Sequence, residues 1–549
     1  MYNKIYIGSI LESAAADKDG RRKEMGIYLN PDNVNFTEAV RARIYVDKTM
    51  MIREMNQFMD EGNKYICISR PRRFGKTIAG NMLAAYYSKG CDSRELFAPY
   101  RIAADPSFEE KLNKYNVIQI DVNGAYQITD NKPAFLKKLT RAIKKEMGKT
   151  FPQVDFDEDD SLAESILKVY TETGETFVII MDEYDVLVRE RAERSLLDEY
   201  LGFLNGLFKS NILRPAISLA YLTGILPVVR DKIQSKLNNF QEYTIMDAEE
   251  LAEYIGFTGD EVKELCREYG VDYEECRRWY DGYRQHGYEI YNPKSVTEAM
   301  RKKAFASYWN MTSTYEAVAE RVRQNFAGTK DAVIRMIAGE AVEVNALTYL
   351  NTMDSFVVKD DLFTYLIHLG YLAYDLDKQA CRIPNKEIQQ EWFAVAATNP
   401  DYAVTDEIIK DSKELLNETI RGNEEAVAGA LDKSHIHVTS NRSYNNEDAL
   451  QSAIYLSYIY ALNEYDCYRE LTAGKGFADV VYVPVRPDKP ALIIELKHNK
   501  SAESAIDQIR EKKYYESLER YKGDLLFVGI DYDEKAKTHT CRIERFEKN

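Results

Sequence analysis

Tyr65-Ile66-Cys67-Ile68-Ser69-Arg70-Pro71-Arg72-Arg73-Phe74-Gly75-Lys76-Thr77 decides how the first half of this chain is read. A short apolar run comes first, then a basic turn, then Gly-Lys-Thr at the head of a helical pattern over Ile78–Tyr87. Strand, loop and helix in that order are what a phosphate-binding loop needs. Backbone N–H groups of the loop face the anion, and the helix N-terminus adds its positive dipole end. In such a loop Lys76 would reach the β- and γ-phosphates, Thr77 would hold Mg²⁺, and Gly75 would let the backbone approach closely. Arg70 stands where the common GxxxxGK[ST] pattern has its first Gly, and Pro71 follows it.

Outward from this loop, a second apolar run, Phe177–Met181, ends in Asp182-Glu183. A buried strand closing on two acids is the Walker B arrangement. Asp182 would coordinate Mg²⁺ and Glu183 would polarise the attacking water. Two further runs, Val117–Val122 and Ala216–Leu222, complete a set of four strands. Thr223, after the last of them, sits where a side chain would sense the γ-phosphate. Helical patterns over Pro133–Met147 and Ser161–Thr171 alternate with the strands. The expected fold is therefore α/β, a parallel P-loop NTPase sheet with helices on both faces.

YVDKT (Tyr45–Thr49), SRPRRFGKT (Ser69–Thr77), IIMDEYD (Ile179–Asp185), TGI (Thr223–Ile225) and LNN (Leu237–Asn239) occur in that order. RWYDGYR (Arg278–Arg284) and YNPKSV (Tyr291–Val296) follow. Together they resemble the AAA-ATPase-like family of bacterial and archaeal proteins, over roughly residues 26–300. The family's own loop reads RPRRFGK[ST], so the resemblance implies that Arg70 is normal there. It implies a nucleotide site made of Arg70, Pro71, Arg72, Arg73, Phe74, Gly75, Lys76, Thr77, Asp182 and Thr223, with ATP and Mg²⁺ as cofactors.

Beyond residue 245 helical patterns dominate, at Ala248–Ile255, Asp260–Tyr269, Asp360–Leu369 and Ser412–Leu431, with a hairpin-like piece at Gly370–Pro384. This middle reads as helical or winged-helix-like. From about 441 the α/β alternation returns. A helix at Asn446–Leu462 precedes strands Gly476–Pro484 and Ala491–Lys497, a helix at Ala502–Tyr521 and a strand at Asp524–Ile530. Glu495 and Lys497 share one face of their strand, and Asp479 joins them if the two strands form a hairpin. Two carboxylates beside a lysine suit metal-dependent phosphodiester cleavage. Glu447 would add a third acid, and Gln508 lies on the following helix. The order Glu…Asp…Glu-x-Lys…Gln resembles the PD-(D/E)XK nuclease superfamily over about 441–545, with Ala478 where the motif name has Pro. The resemblance implies a restriction-endonuclease-like α/β domain. Its catalytic residues would be Asp479, Glu495, Lys497 and Gln508, and its metal ligands Glu447, Asp479 and Glu495, for Mg²⁺ or Mn²⁺.

Composition narrows the setting. Among 549 residues 45% are hydrophobic and 30% charged, as in ordinary globular protein. The formal net charge of -16 argues against non-specific coating of nucleic acid but not against a local basic groove. The seven Cys form no CxxC pair, which fits a reducing cytosol. No apolar run of about 18 residues occurs, so a membrane span is not expected, and a cytoplasmic location is. The reading divides the chain into a polar lead-in (1–25), an ATPase domain (26–245), the middle (246–440) and the nuclease-like domain (441–549). The expected function is an ATPase that controls a metal-dependent nuclease acting on nucleic acid, DNA ahead of RNA, in mobile-element or defence biology, with a nucleotide-dependent homo-oligomer as a partner state. The alternative is a nucleotide-dependent signalling switch or scaffold whose C-terminal domain binds nucleic acid or protein without cutting.

Overall fold

The computed structural model describes residues 26–190, 192–227, 230–231, 234–235, 237, 239–309, 326, 328–337, 339–346, 356, 358–398, 403–438, 450, 453–455, 457–473, 476–485, 488–518 and 521–546. They fall into two compact units, one of residues 1–310 and 343–388, the other of 311–342 and 389–549.

The first unit is built on five parallel strands: β1 (Tyr65–Ser69), β2 (Asn116–Asp121), β3 (Phe177–Asp182), β4 (Ile217–Gly224) and β5 (Gln241–Tyr243). Their order across the sheet is β2-β3-β4-β1-β5. Every residue of β1 and β3 is buried, which is why these segments read as unbroken apolar runs rather than alternating ones. Register aligns their ends. Ser69 pairs with Gly224 and Asp182 with both Thr223 and Asp121. The chemistry-bearing residues therefore share the carboxyl rim of the sheet, where ligands bind in open parallel folds.

Helices cover both faces. One face carries Cys67, Ile118, Ile120, Ile179, Met181 and Leu222, packed with α2 (Phe135–Thr150), α3 (Leu162–Thr173) and α4 (Arg194–Phe208). Phe135, Leu136, Leu139, Ile143 and Met147 recur at helical spacing and fill this side. Five such side chains contribute on the order of 10 kcal/mol of apolar burial. The opposite face meets α1 (Lys76–Tyr87), where a Cβ at Gly80 would lie 3.5 Å from Ile180 Cγ2. That spacing lets the helix lie close on the strand. Ser161 and Glu164 form a reciprocal capping box at the start of α3. Before β1, backbone bonds from Gln119 to Tyr28 and from Asn30 to Val117 extend the sheet past β2. Glu146 of α2 pins this extra edge by accepting from the N–H groups of Ile27, Tyr28 and Leu29.

The remainder of the unit holds β6 (Phe257–Thr258), α5 (Gly259–Tyr269), α6 (Tyr273–Tyr280), β7 (Tyr283–Gln285), β8 (Tyr288–Tyr291), α7 (Pro293–Lys302), α8 (Lys359–Leu369), β9 (Ala373–Asp375) and β10 (Ala380–Arg382). Trp279, Tyr280 and Tyr291 belong to its small core, so the aromatic cluster around Gly282 is a packed corner. The hairpin expected at 370–384 is β9 with β10. The helix expected over Ala248–Ile255 is instead one 3-10 turn, Glu249–Leu251, among turns.

The second unit contains α9 (Ala403–Arg421), α10 (Glu424–Val438) and a mixed sheet: β11 (Tyr465–Ala473), β12 (Gly476–Pro484), β13 (Ala491–His498), β14 (Leu525–Asp533) and β15 (Thr538–Phe546), in that spatial order. Only β13 and β14 run parallel, joined through α11 (Ala502–Lys512). The single helix expected over Ser412–Leu431 is two, because Gly422 takes φ +78 between them. The helix expected over Ala502–Tyr521 also stops early. Lys513 turns left-handed at φ +53, and a 3-10 turn, Tyr514–Leu518, follows. No helix among the described residues is long and apolar enough to cross a membrane.

Candidate functional site

The loop between β1 and α1 begins with a side chain that turns inward. Arg70 is fully buried, and its Nη1 donates to the carbonyls of Ser69 (3.0 Å) and Tyr243 (2.9 Å). Burial pushes its guanidinium down to about 9. The rest of the guanidinium, Nε and Nη2, is buried without a hydrogen-bond partner. The side chain braces β1 against β5, and the residue enters the loop through its backbone, whose N–H donates to Gly224 O at 3.1 Å.

Lys76 then closes the loop on itself. Its Nζ donates to the carbonyls of Arg70 (2.9 Å) and Pro71 (2.8 Å), and burial lowers its ammonium to about 8. A buried cation held only by carbonyls suits an incoming polyanion, since phosphate oxygens would return the charge that burial disfavours. Gly75 precedes it at φ +93, a left-handed conformation that costs an L-residue and that glycine adopts freely. Nothing lies within 4 Å of a Cβ placed there, so the close side of the loop is open.

Thr77 Oγ1 donates to Asp182 Oδ2 at 2.6 Å. The pair brings the head of α1 to the end of β3, a hydroxyl and a carboxylate fit for a hard cation. Burial raises the Asp182 carboxyl, opposed by Thr77 and the Lys76 charge. Glu183, next in the chain, has φ +50 and accepts from Arg189 Nη2 at 2.9 Å. Thr223 Oγ1 is buried without a hydrogen-bond partner at the same rim, an orphan that a ligand oxygen would satisfy. These features fit Mg²⁺-ATP at Lys76, Thr77 and Asp182.

The other loop residues face neighbours. Arg72 is partly buried and electrostatically coupled to Arg189, Glu183 and Glu190. Arg73, at φ +70, donates from Nη1 to Tyr308 O (3.0 Å) and Trp309 O (2.7 Å). Phe74 is buried edge-on to Tyr283, and a Cβ at Gly370 would fall 2.8 Å from Pro71 Cβ. The basic turn is thus fastened to the part of the unit beyond residue 280.

Arg189 was missed from the sequence. It is 8% exposed, pairs with Glu183, and lies 3.7 Å from Asp185 Oδ1 through Nη1. Only its spacing, six residues past Glu183 on a short apolar helix, hinted at it.

In the second unit β12 and β13 are an antiparallel hairpin with Val480 opposite Ile494. Continuing that register sets Asp479 opposite Glu495. Asp479 Oδ2 accepts the N–H of Leu496 at 2.8 Å. Lys497 Nζ donates to Glu495 Oε1 at 2.9 Å, and Gln508 Nε2 of α11 donates to the same oxygen. Asp479, Glu495, Lys497 and Gln508 therefore meet. Tyr514 joins through its hydroxyl, which accepts from Gln508 at 3.1 Å. Glu447 lies outside the described residues.

Burial first, then the Asp479 charge, pushes the Glu495 carboxyl up to about 7, while Lys497 pulls it down. Its Oε2 is buried without a hydrogen-bond partner. Two crowded carboxylates, one with an unmatched oxygen, fit a divalent cation held by Asp479 and Glu495. Among the described residues no group of three or more His, Cys, Asp or Glu side chains suited to a metal occurs, so this site offers two acids.

Residues 35–234 match a family described as a predicted AAA-ATPase, and residues 445–541 match the PD-(D/E)XK nuclease superfamily. An uncharacterized protein in the vnfD 5' region of Azotobacter chroococcum mcd 1 is 24% identical over 305 residues. That match takes in 54% of this chain and 56% of the relative, so the chain spans little more than half the relative's length. Among solved structures, C. elegans PCH-2 aligns over 61% of this chain and 72% of its own at 12% identity and a TM-score of 0.21. The Aeropyrum pernix ORC2 protein, in ADPNP-ADP complexes, aligns over 64% and 94% at 11% identity and a TM-score of 0.24. At such scores neither lends geometry to this chain.

Proposed function

We propose, for a chain that carries an AAA-ATPase-like domain at 35–234 and a PD-(D/E)XK nuclease superfamily domain at 445–541, that ATP binding and hydrolysis in the first control a metal-dependent nuclease in the second. The observation that carries the reading is the meeting of Asp479, Glu495, Lys497 and Gln508 on one sheet face, with an unmatched carboxylate oxygen among them.

At the nucleotide site Lys76 would exchange its two loop carbonyls for phosphate oxygens. Thr77 and Asp182 would hold Mg²⁺, and Glu183 would take a proton from water once freed from Arg189. At the second site Asp479 and Glu495 would hold Mg²⁺ or Mn²⁺. Such an ion supplies a bound water of lowered pKa and charge to offset the leaving oxygen. Lys497 would orient that water and balance developing negative charge, while Gln508 fixes the Glu495 carboxylate. The substrate is nucleic acid, with DNA ahead of RNA, in a cytoplasmic mobile-element or defence setting.

The test is cleavage of mixed DNA and RNA by the purified chain with Mg²⁺ or Mn²⁺. On this reading the wild-type protein cleaves and Lys497→Ala abolishes cleavage. Equal behaviour of the two proteins on every substrate sinks it. One observation favours a second reading, a nucleotide-dependent switch: Glu183 is held by Arg189 and Lys76 by its own loop, an arrangement suited to slow hydrolysis. Near-zero phosphate release, with a nucleotide-dependent change of mass in light scattering, selects the switch.

A further inference from the structure

Helix α2 is basic along its whole outer side. From 132 to 150 the chain has seven cations (Lys132, Lys137, Lys138, Arg141, Lys144, Lys145, Lys149) and one acid, Glu146, a net of +6 in a chain of net -16. The inner side is the apolar row already described, from Phe135 to Met147. Lys137, Arg141, Lys145 and Lys149 recur every fourth residue, and all four are exposed, as is Lys138 beside them.

For Lys137, Lys138, Arg141 and Lys145 the described surroundings supply no ion pair. Glu146 is turned to the N–H groups of 27–29 and lies off this row. Of the five acids in the turn after α2, two are engaged elsewhere, and Asp155, Glu158 and Asp159 are exposed. Asp157 and Asp160 pair with Lys168, and Lys144 takes the carbonyls of 157, 158 and 160. Lys137, Lys138, Arg141 and Lys145 have no carboxylate within ion-pair distance among the described residues.

Geometry suggests what would compensate them. Fourth-residue spacing sets successive cations about 6 Å apart, and Lys137 to Lys149 spans about 18 Å. One strand of duplex carries a phosphate per about 3.4 Å of axis, so that length faces about five phosphates. We propose that the outer side of α2, through Lys137, Lys138, Arg141, Lys145 and Lys149, is a track for the phosphodiester backbone of nucleic acid. Contact is to backbone only and carries no sequence preference. The inference rests on the nucleic-acid reading above and adds where the ATPase-like unit grips.

Full-length wild-type protein and the variant Lys137→Gln, Arg141→Gln, Lys145→Gln, Lys149→Gln are titrated against labelled duplex DNA, single-stranded DNA and RNA. Fluorescence anisotropy follows binding across a salt series, and unchanged melting shows that the variant is folded. Each backbone cation lost lowers the slope of log affinity against log salt by about 0.9 for duplex and about 0.7 for single strands. The expected loss is a slope about 3 to 4 smaller, with at least tenfold weaker binding at low salt. Should the variant unfold, single Arg141→Gln serves, with a slope change near one. Wild-type binding with an unaltered variant slope overturns the track while leaving the nuclease reading standing. Wild-type failure on every nucleic acid overturns both.

Discussion

Replacing Lys497 with Met removes the ammonium that holds Glu495. Glu495 is 2% exposed and its Oε1 accepts from Lys497 at 2.9 Å. Its carboxyl sits at about 7 against an ordinary 4.5, with burial the largest cause and Asp479 next. A carboxyl raised in the folded state loses the fold stability as pH rises. The loss begins near 4.5, where the unfolded chain ionises, and is complete above 7, at about 3 kcal/mol. Lys497 limits that loss. Removing one member of a buried pair while the other stays charged costs about 3–5 kcal/mol. Lys497→Met therefore lowers the opening free energy of β13 by about 3 kcal/mol at pH 8. At pH 6, with Glu495 protonated, the cost falls to about 1 kcal/mol, that of an ordinary hydrogen bond. Glu495→Gln with Lys497→Met recovers most of the difference at pH 8. Native-state hydrogen exchange of peptides covering Ala491–His498, read as a double-mutant cycle, measures this directly. A coupling under about 0.5 kcal/mol at pH 8, or one that does not change with pH, refutes the pairing and the origin assigned to the raised carboxyl.

Arg70→Met removes a cation whose burial costs about 5 kcal/mol, against two hydrogen bonds worth about 1.5–3 kcal/mol each. Chemical denaturation changes by under about 2 kcal/mol and ATP affinity stays within tenfold, whereas a folded variant without ATP binding would put the guanidinium on phosphate. Glu183→Gln keeps ATP binding and slows phosphate release by about a hundredfold or more, and wild-type rates would remove Glu183 from proton transfer. Gly75→Ala meets no neighbour but forces a side chain to φ +93, and loses about 1–2 kcal/mol in the same denaturation assay; unchanged stability would show the loop relaxing instead.

The parallel sheet and its rim were legible because β1, β3 and β4 are buried on both faces and read as plain apolar runs. Glu495 and Lys497 were legible for another reason, since strand alternation sets them on one face, whereas Asp479 joins them only through the β12–β13 hairpin. Strand β15 went unread because its residues are half-exposed on a sheet edge and mix charge with Cys, Ile and Phe. β11 is likewise an edge strand, interleaving Asp466, Arg469 and Glu470 with apolar residues. The end of α11 carried no Gly or Pro to announce it, since Lys513 itself takes the left-handed turn. The bond from Arg70 to the Tyr243 carbonyl was not legible. The side chain's inward turn depends on β5, a three-residue strand contributed far downstream.

The fastening of the loop by Arg73 and Phe74 sets a rule for dissecting the chain. A fragment cut near residue 245 keeps every residue of the sheet's carboxyl rim, yet strips Arg73 of its two acceptor carbonyls and leaves Phe74 bare where Tyr283 covered it. Whoever expresses the ATPase piece alone should carry it through the 308–309 segment and the turn at Gly370. The shortest gene that encodes the rim is not the shortest that encodes a quiet, soluble form of it.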